Sequence, residues 1–258
     1  MIDKEHLQSI SIRKQLQLRN AEKDYLLEIV LYALCRYSKR ELIFKGGTAL
    51  YKHYGLNRFS EDLDFTLTKR KFDMQFVLEK MRKELSFLGI EMILPIYEQY
   101  PNEINTLLQI KGPLYDGSKA SLSTIRINVS TRERIIHKPV QELLLSQYGE
   151  VPSFEVFVMD TQEMLAEKIR AIYTREKARD VYDVWFLLKR GVKPDTSLIQ
   201  KKLDYYKKKH SLSLFLTCIE KKKQLWNNDL HGLIIGTVPP FERIMKEIRM
   251  MMNAQNGR

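Results

Sequence analysis

The pattern of hydrophobic and polar positions changes near residue 160. Before this point helical and strand-like patterns alternate, whereas from residue 161 onward apolar positions recur almost everywhere at helical spacing. At the start of the chain, residues 3–18 and 21–38 are predicted to be helices, and Asn20 is the expected N-cap of the second. The change predicts two domains, residues 1–160 and residues 161–258.

Short apolar or alternating runs predict the strands of the first domain. They are expected at residues 42–44, 61–67, 90–97, 105–111, 121–130 and 154–158. Helices are expected between them at residues 48–54, 71–88 and 140–147. A first half that mixes strands and helices, followed by an all-helical half, predicts an α+β fold.

Composition narrows the class of protein. The chain has 258 residues, of which 44% are hydrophobic, and no run of about 18 apolar residues that would predict a membrane span. Its first 20 residues are charged and lack the apolar core of a secretory signal, so the cytoplasm is the expected location and no membrane partner is expected. Cys35 and Cys218 stand in apolar helical patterns and are expected to be buried free thiols.

The positive charge is concentrated in the second half of the chain. Residues 161–258 contain 20 Lys and Arg against 11 Asp and Glu, and the whole chain has a net charge of +11. Two lysine triplets, 207–209 and 221–223, fall on predicted helices. Such a surface can bind the phosphates of nucleic acid, and a solvated lysine-rich face explains the composition equally well.

Two acidic residues share one face of the strand predicted at 61–67. Because side chains alternate across a strand, Asp62 and Asp64 point to one side while Leu63 and Phe65 point to the other. Two carboxylates placed in this way can bind Mg²⁺, which takes oxygen ligands and shares them with substrate phosphates. For an isolated Asp-x-Asp, the solvated polar face of a strand is the more common explanation.

A glycine turn, formed by Gly46, Gly47 and Thr48, precedes the acidic strand in the chain. It follows a short predicted strand and opens a predicted helix that Thr48 is expected to cap. Glycines let the backbone approach a phosphate closely, a helix N-terminus offers free N–H groups, and Thr48 adds a hydroxyl. The turn alone would be an ordinary strand-to-helix connection. Followed closely by the acidic strand, it supplies the second part of a phosphate–metal site.

Residues 46–50 and 58–65 together resemble the first motif of the AbiEii-type abortive-infection toxins. This family includes the MenT toxins and belongs to the DNA polymerase β-like nucleotidyltransferases. The resemblance implies a mixed sheet flanked by helices, followed by a C-terminal helical bundle that completes the active-site cleft. It also implies that the glycine turn binds nucleotide phosphates, that Asp62 and Asp64 hold Mg²⁺ or Mn²⁺, and that Ser60 lies at the edge of the site.

The helical half carries a second resemblance to the same family. Lys168 precedes an Arg-Asp-x-Tyr-Asp sequence that contains Asp180 and Asp183. The resemblance implies that Lys168 binds substrate phosphates and that Asp180, or less directly Asp183, acts in catalysis or organises the site. From the residues alone, Lys168 could instead pair with a neighbouring carboxylate, and Asp180 with Arg175 or Arg179.

One position departs from the superfamily pattern. Polymerase β-like enzymes usually present a third carboxylate from a later strand, and the matching position here is Asn128, which cannot act as a general base. The third acid can come from elsewhere, for example Asp180, or the metal site can use two carboxylates. Otherwise the chain binds nucleotide without transferring it. The first two explanations are favoured because the other parts of the site are present.

The resemblance implies an enzyme that moves a nucleotidyl group from a nucleoside triphosphate to an RNA acceptor such as tRNA. It would act as the toxin of a toxin–antitoxin pair in defence against phage, with a winged-helix antitoxin encoded nearby. One alternative is a degenerate, non-catalytic regulator that binds nucleotide or RNA. Another is a small-molecule nucleotidyltransferase of the antibiotic-modifying kind, which the basic second half disfavours. The sequence does not select the base of the triphosphate.

Overall fold

A computed structural model describes residues 1–38, 40–69 and 72–256, and it divides into two compact units. The first unit comprises Met1–Gly55, Phe59–Ile135 and Pro139–Val158, and the second comprises Leu56–Arg58, Ile136–Lys138 and Met159–Arg258. The sequence pattern changes close to the start of the last of these segments. The two short segments of the second unit come from the half of the chain that the pattern had assigned wholly to the first domain.

The helices of the first unit are α1 (Lys4–Lys14), α2 (Leu18–Ser38), α3 (Gly46–Lys52) and α4 (Met74–Phe87). Asn20 lies inside α2, which begins two residues earlier, so its prediction as an N-cap is wrong. The cap predicted at Thr48 is also wrong, because α3 already begins at Gly46. Asp73 caps α4 by accepting a hydrogen bond from the Phe76 N–H. The start predicted for this helix, residue 71, lies outside the described residues.

Within the described chain, seven strands form one mixed sheet in the first unit, which confirms the predicted α+β class. Along the sheet the strands follow the order β3-β4-β5-β2-β1-β7-β6. The central β2 pairs antiparallel with β1 and parallel with β5. The strands are β1 (Leu42–Lys45), β2 (Asp62–Leu67), β3 (Glu91–Tyr100), β4 (Glu103–Lys111), β5 (Ser123–Ser130), β6 (Val140–Leu144) and β7 (Phe154–Val158).

The helix predicted at residues 140–147 is wrong, because the first five of these residues form the edge strand β6. β6 pairs antiparallel with β7, which was predicted correctly. The apolar residues of β6 do not follow a clear spacing. Val140 and Leu143 are exposed at the sheet edge, whereas Leu144 is buried. A short mixed run of this kind does not distinguish a helix from a strand by spacing alone.

The second unit is helical, as the spacing of apolar residues predicts. Its helices are α5 (Thr161–Thr174), α6 (Arg179–Lys189), α7 (Thr196–Asp204), α8 (Leu212–Glu220), α9 (Trp226–Leu230) and α10 (Phe241–Asn256). Asp160 caps α5 by accepting hydrogen bonds from the N–H groups of Gln162 and Glu163, which confirms the predicted helix start. The lysine triplets lie just after α7 and α8, so their predicted placement on helices is wrong except at Lys223, which begins a short 3₁₀ helix, Lys223–Leu225.

Among the described residues, no helix combines the length and the apolar character that are needed to cross a bilayer. Cys35 and Cys218 are free thiols, as predicted, but both are half-buried and not fully enclosed.

Candidate active site

The acidic strand β2 has one apolar and one polar face. Leu63 and Phe65 are buried, at 0% and 1% exposure, whereas Asp62 and Asp64 are half-buried. The predicted alternation is therefore confirmed. The Cα atoms of residues two apart on a strand are separated by about 7 Å, so both carboxylates can reach one cation or a close pair of cations.

Asp64 lies at the centre of three adjacent strands. Across β1 it is opposite Lys45, and across the parallel strand β5 it is opposite Asn128. The Asn128 Nδ2 donates a hydrogen bond to Asp64 Oδ1 at 3.0 Å. The position at which the superfamily pattern expects a third acid therefore holds a neutral donor that orients the Asp64 carboxylate.

The glycine turn approaches the acidic strand so closely that a side chain would not fit. Gly46 has a φ of +78°, and a Cβ at this position would lie 2.6 Å from Asp64 Oδ2. Both the left-handed backbone and this contact require glycine. The Thr48 hydroxyl donates a hydrogen bond to the main-chain carbonyl of Asp62, so the start of α3 is tied directly to β2.

Thr48 has a different contact from the one expected. It is fully buried, and its hydroxyl binds the Asp62 carbonyl, whereas the sequence predicted a phosphate contact. Gly47 is buried and Ser60 is half-buried at the approach to β2. The phosphate-binding roles of these residues stay predictions, and the hydrogen bond of Thr48 indicates that it positions the turn.

The far end of α3 is anchored by buried ion pairs. Lys52 Nζ lies 2.8 Å from Asp24 Oδ1 and 3.0 Å from Glu28 Oε2, and both carboxylates come from α2. These carboxylates are fully buried. Burial opposes ionisation of Asp24, but Lys52 and Lys14 outweigh it and hold its pKa below the ordinary value. This short helix is thereby fixed at both ends, which keeps the glycine turn in place beside Asp64.

The donor set around β2 fits a metal ion that shares its ligands with a substrate. In the part of the chain that the structure describes, no three His, Cys, Asp or Glu side chains gather to form a closed metal site. Mg²⁺ usually binds one or two carboxylates together with substrate phosphates and waters, and does not need an all-protein cage. The half-buried pair Asp62 and Asp64 matches this requirement.

A second set of charged side chains lies within the second unit. Lys168 Nζ lies 3.2 Å from Asp180 Oδ1 and 2.6 Å from Asp183 Oδ2. Arg175 binds Asp180 through Nε and a terminal nitrogen, both at 2.7 Å. Arg58 binds Asp183 in the same two-pronged manner, with both distances 2.9 Å. We call these five residues the ion network.

The ion network holds three cations against two anions. Asp180 and Asp183 are fully buried, and Lys168 is 8% exposed. Burial alone would raise the pKa of Asp180, but Lys168 and Arg175 reverse the effect and hold its pKa well below the usual range. A carboxylate whose two oxygens already accept charged donors is a poor proton acceptor, so these contacts favour a role in orienting Lys168.

One member of the ion network, Arg58, was not assigned a role from the sequence. Arg58 belongs to the motif that precedes β2, but its partner Asp183 is 125 residues away and no local pattern connects them. Arg175 was one of two candidate partners of Asp180, and its ion pair is confirmed. The pairing of Lys168 with neighbouring carboxylates, which was the alternative to phosphate binding, is also present.

Comparison with known proteins decides the family. The profile of the family described as "Nucleotidyl transferase AbiEii toxin, Type IV TA system" matches residues 29–247. The chain belongs to this family. It is therefore a nucleotidyltransferase toxin of the AbiEii type, as the motifs around Asp62 and Lys168 predicted. Nucleotidyltransferases of this kind generally use a nucleoside triphosphate and a divalent metal.

One relative and two solved structures show what else this chain is similar to. An uncharacterized protein of Aquifex aeolicus, aq_aa25, is 25% identical over 193 residues, which are 72% of this chain and 76% of the relative. Two solved structures share the fold. MenT4, a nucleotidyltransferase toxin from Mycobacterium tuberculosis, has a TM-score of 0.66 at 17% identity and covers 100% of this chain and 91% of its own. JHP933 from Helicobacter pylori has a TM-score of 0.65 at 19% identity, covering 93% and 92% respectively.

Proposed function

We propose that this AbiEii toxin transfers a nucleotidyl group from a nucleoside triphosphate to an RNA acceptor, such as the end of a tRNA. The acceptor hydroxyl forms a bond to the α-phosphorus, the bond to the β-phosphate oxygen breaks, and pyrophosphate leaves. The observation that carries the proposal is the half-buried pair Asp62 and Asp64 on one face of β2, directly against Gly46.

Asp62 and Asp64 would hold Mg²⁺ or Mn²⁺ together with the triphosphate. When bound there, the metal supplies charge neutralisation at the phosphates and helps to orient the attacking hydroxyl. Asn128 keeps the Asp64 carboxylate in a fixed rotamer through its hydrogen bond. The backbone of Gly46 and Gly47 would bind phosphate oxygens, Thr48 would hold this turn against β2, and Ser60 would lie at the edge of the site.

Lys168 would bind the phosphates of the triphosphate and stabilise the charge that collects on the departing pyrophosphate. Its two ion pairs hold the ammonium in one orientation. Asp180 would position Lys168. Because both of its oxygens are bound by cations, it is a weak candidate for removing the proton from the acceptor.

The acceptor and the partner follow from charge and family. A region with 20 basic against 11 acidic residues suits a polyanion such as RNA better than a small molecule. The toxin–antitoxin family implies a partner that restrains the activity, and we propose a winged-helix antitoxin encoded nearby and a role in abortive phage infection.

The decisive experiment incubates wild type and Asp64→Ala with labelled nucleoside triphosphates, Mg²⁺ and total tRNA. We expect wild type to label RNA and the variant to lose about 10³-fold in rate, since loss of the metal removes several kcal/mol of transition-state stabilisation. Glu61→Gln is the matched control, because it removes a half-buried carboxylate one residue before β2. The proposal fails if wild type labels no RNA, or if Asp64→Ala labels the same RNA as wild type.

A second function is favoured by Asn128, which provides an amide where the superfamily pattern expects an acid. In this alternative the chain is a degenerate regulator that binds nucleotide or RNA without transfer. It predicts that wild type binds nucleoside triphosphates but is inactive, and that Asn128→Asp gains transfer activity. Activity in wild type excludes it.

A further inference from the structure

We propose that the second unit contains a binding pocket for phosphate groups, formed by lysines that the transfer reaction does not use. We call it the lysine pocket. It is a cavity of about 680 Å³ between the end of α5, the turn that follows α7, and α8 with the residues after it. The residues that carry the proposal are Lys208, Lys209, Lys221, Lys222 and Cys218.

The lining of the lysine pocket is strongly cationic. Five of its residues are basic, Arg175 among them, and only Glu176 is acidic. Lys208, Lys209 and Lys221 are exposed, and within the described chain no carboxylate lies within 4.0 Å of their ammonium groups. Like charges brought together in a concave surface repel one another, so an anion that neutralises them would bind favourably.

Lys222 distinguishes this pocket from an ordinary lysine-rich surface. It is only 5% exposed, and its Nζ donates to the main-chain carbonyls of Ile172 at 2.8 Å and Cys218 at 3.4 Å. In the part of the chain that is described, it makes no salt bridge. A buried ammonium without an anionic partner is costly, and here burial lowers the pKa of Lys222. A bound anion would supply the missing negative charge.

Phosphate is the anion that best fits these donors. It carries more than one negative charge and several oxygens, so it can contact lysines from separate elements at once. The volume lies in the usual range for ligand pockets and exceeds what one inorganic phosphate needs. The ligand is therefore a molecule that carries a chain of phosphates, either the triphosphate of a nucleotide or the backbone of an RNA strand.

The first test measures binding of tripolyphosphate, ATP and a 12-nucleotide single-stranded RNA without metal, so it does not depend on transferase activity. The variant is the triple Lys208→Gln, Lys209→Gln, Lys221→Gln. The matched control removes the same charge from exposed lysines that do not line the pocket: Lys193→Gln, Lys201→Gln, Lys246→Gln. We call the first of these variants the pocket triple, and we expect it to weaken the binding of at least one probe about tenfold more than the control does. For RNA we expect its salt slope to fall by about 2.

The second test locates the ligand through Cys218, the half-buried thiol of the pocket wall. Cys35 serves as the internal reference, because burial raises the pKa of its thiol to about 12 and slows its alkylation. We expect the probe that the pocket triple weakens to slow iodoacetamide labelling of Cys218 severalfold, and Lys222→Met to abolish this protection. Equal losses in the two triple variants, or unchanged labelling of Cys218, would overturn the proposal. The probe whose binding is weakened by the pocket triple identifies the source of the phosphates.

Discussion

Two pairs of aspartates, one in each unit, occupy opposite environments. Asp62 and Asp64 are half-buried on the polar face of β2, and Asp64 accepts a hydrogen bond from the neutral amide of Asn128. Asp180 and Asp183 are fully buried and bound by lysine and arginine. A carboxylate that is to share a cation with a substrate must be accessible. Of the two pairs, the first is half-buried and the second is fully buried.

This difference in environment predicts different roles. The pair on β2 acts in the reaction, and the pair in the ion network holds neighbouring side chains in place. The charges of Asp180 and Asp183 are already compensated by the protein, so these residues determine where Lys168 points. In the proposed reaction, the pair on β2 binds a metal together with the substrate. Substitutions in the ion network should therefore act mainly on stability, and substitutions on β2 mainly on activity.

The largest effect on stability is expected from Asp183→Ala. This change leaves Arg58 and Lys168 without a carboxylate that both of them bind, and breaking a buried ion pair costs about 3–5 kcal/mol. Urea denaturation should show this loss in the free energy of unfolding. Asp64→Ala, the matched change on β2, should lose less than about 1 kcal/mol. Equal losses of unfolding free energy in the two variants would contradict the different roles of the two aspartate pairs.

Asp180→Asn should lower the free energy of unfolding at neutral pH by about 2 kcal/mol, because it removes the charge that Arg175 and Lys168 bind. The folded-state pKa of Asp180 is depressed, so its contribution is present above the unfolded value of about 4 and disappears as the pH falls through the lower folded value. The difference from wild type should therefore shrink below about pH 4. The exposed Asp204→Asn is the control, and a difference that does not change with pH would contradict the assignment.

Gly46→Ala tests the contact between the glycine turn and the acidic strand. The added methyl group would strain the left-handed backbone by about 1 kcal/mol and displace the Asp64 carboxylate, lowering kcat/KM about tenfold or more. Gly55→Ala carries the same backbone strain, at a φ of +74°, with nothing within 4 Å of the new atom. A steady-state assay should show loss only at Gly46, and similar losses in both variants would rule out the contact as the cause.

The smallest effect is expected from Asn128→Asp. A second carboxylate beside Asp64 would replace a hydrogen bond with repulsion and raise the pKa of one of the two acids. We expect the transfer rate to change by no more than about tenfold and its pH dependence to move upward, which a pH–rate profile would show. Asn128→Ala removes the amide without adding a charge. Comparing its transfer rate with that of Asn128→Asp separates the effect of the lost hydrogen bond from the effect of the added carboxylate. A large increase in rate would mean that wild type lacks a needed third acid.

Much of the fold follows from local rules. The alternation of β2 and the helical spacing from residue 161 onward each depend on neighbours within a few residues, and each was predicted correctly. Predictions that depended on weak local preferences were wrong, such as the cap at Asn20 and the helix at residues 140–147. At the edge strand β6, pairing with β7 overrode an ambiguous pattern.

The sequence by itself determined the family, the acidic strand, the glycine turn and the lysine that precedes Asp180, because motif spacing and side-chain periodicity are local properties. Only the tertiary structure decided that Asn128 orients Asp64, that Gly46 has no room for a side chain, and that Arg58 binds Asp183. These contacts join residues 18 to 125 positions apart. Strand register and helix packing create such proximity, and no pattern along a single chain segment encodes it.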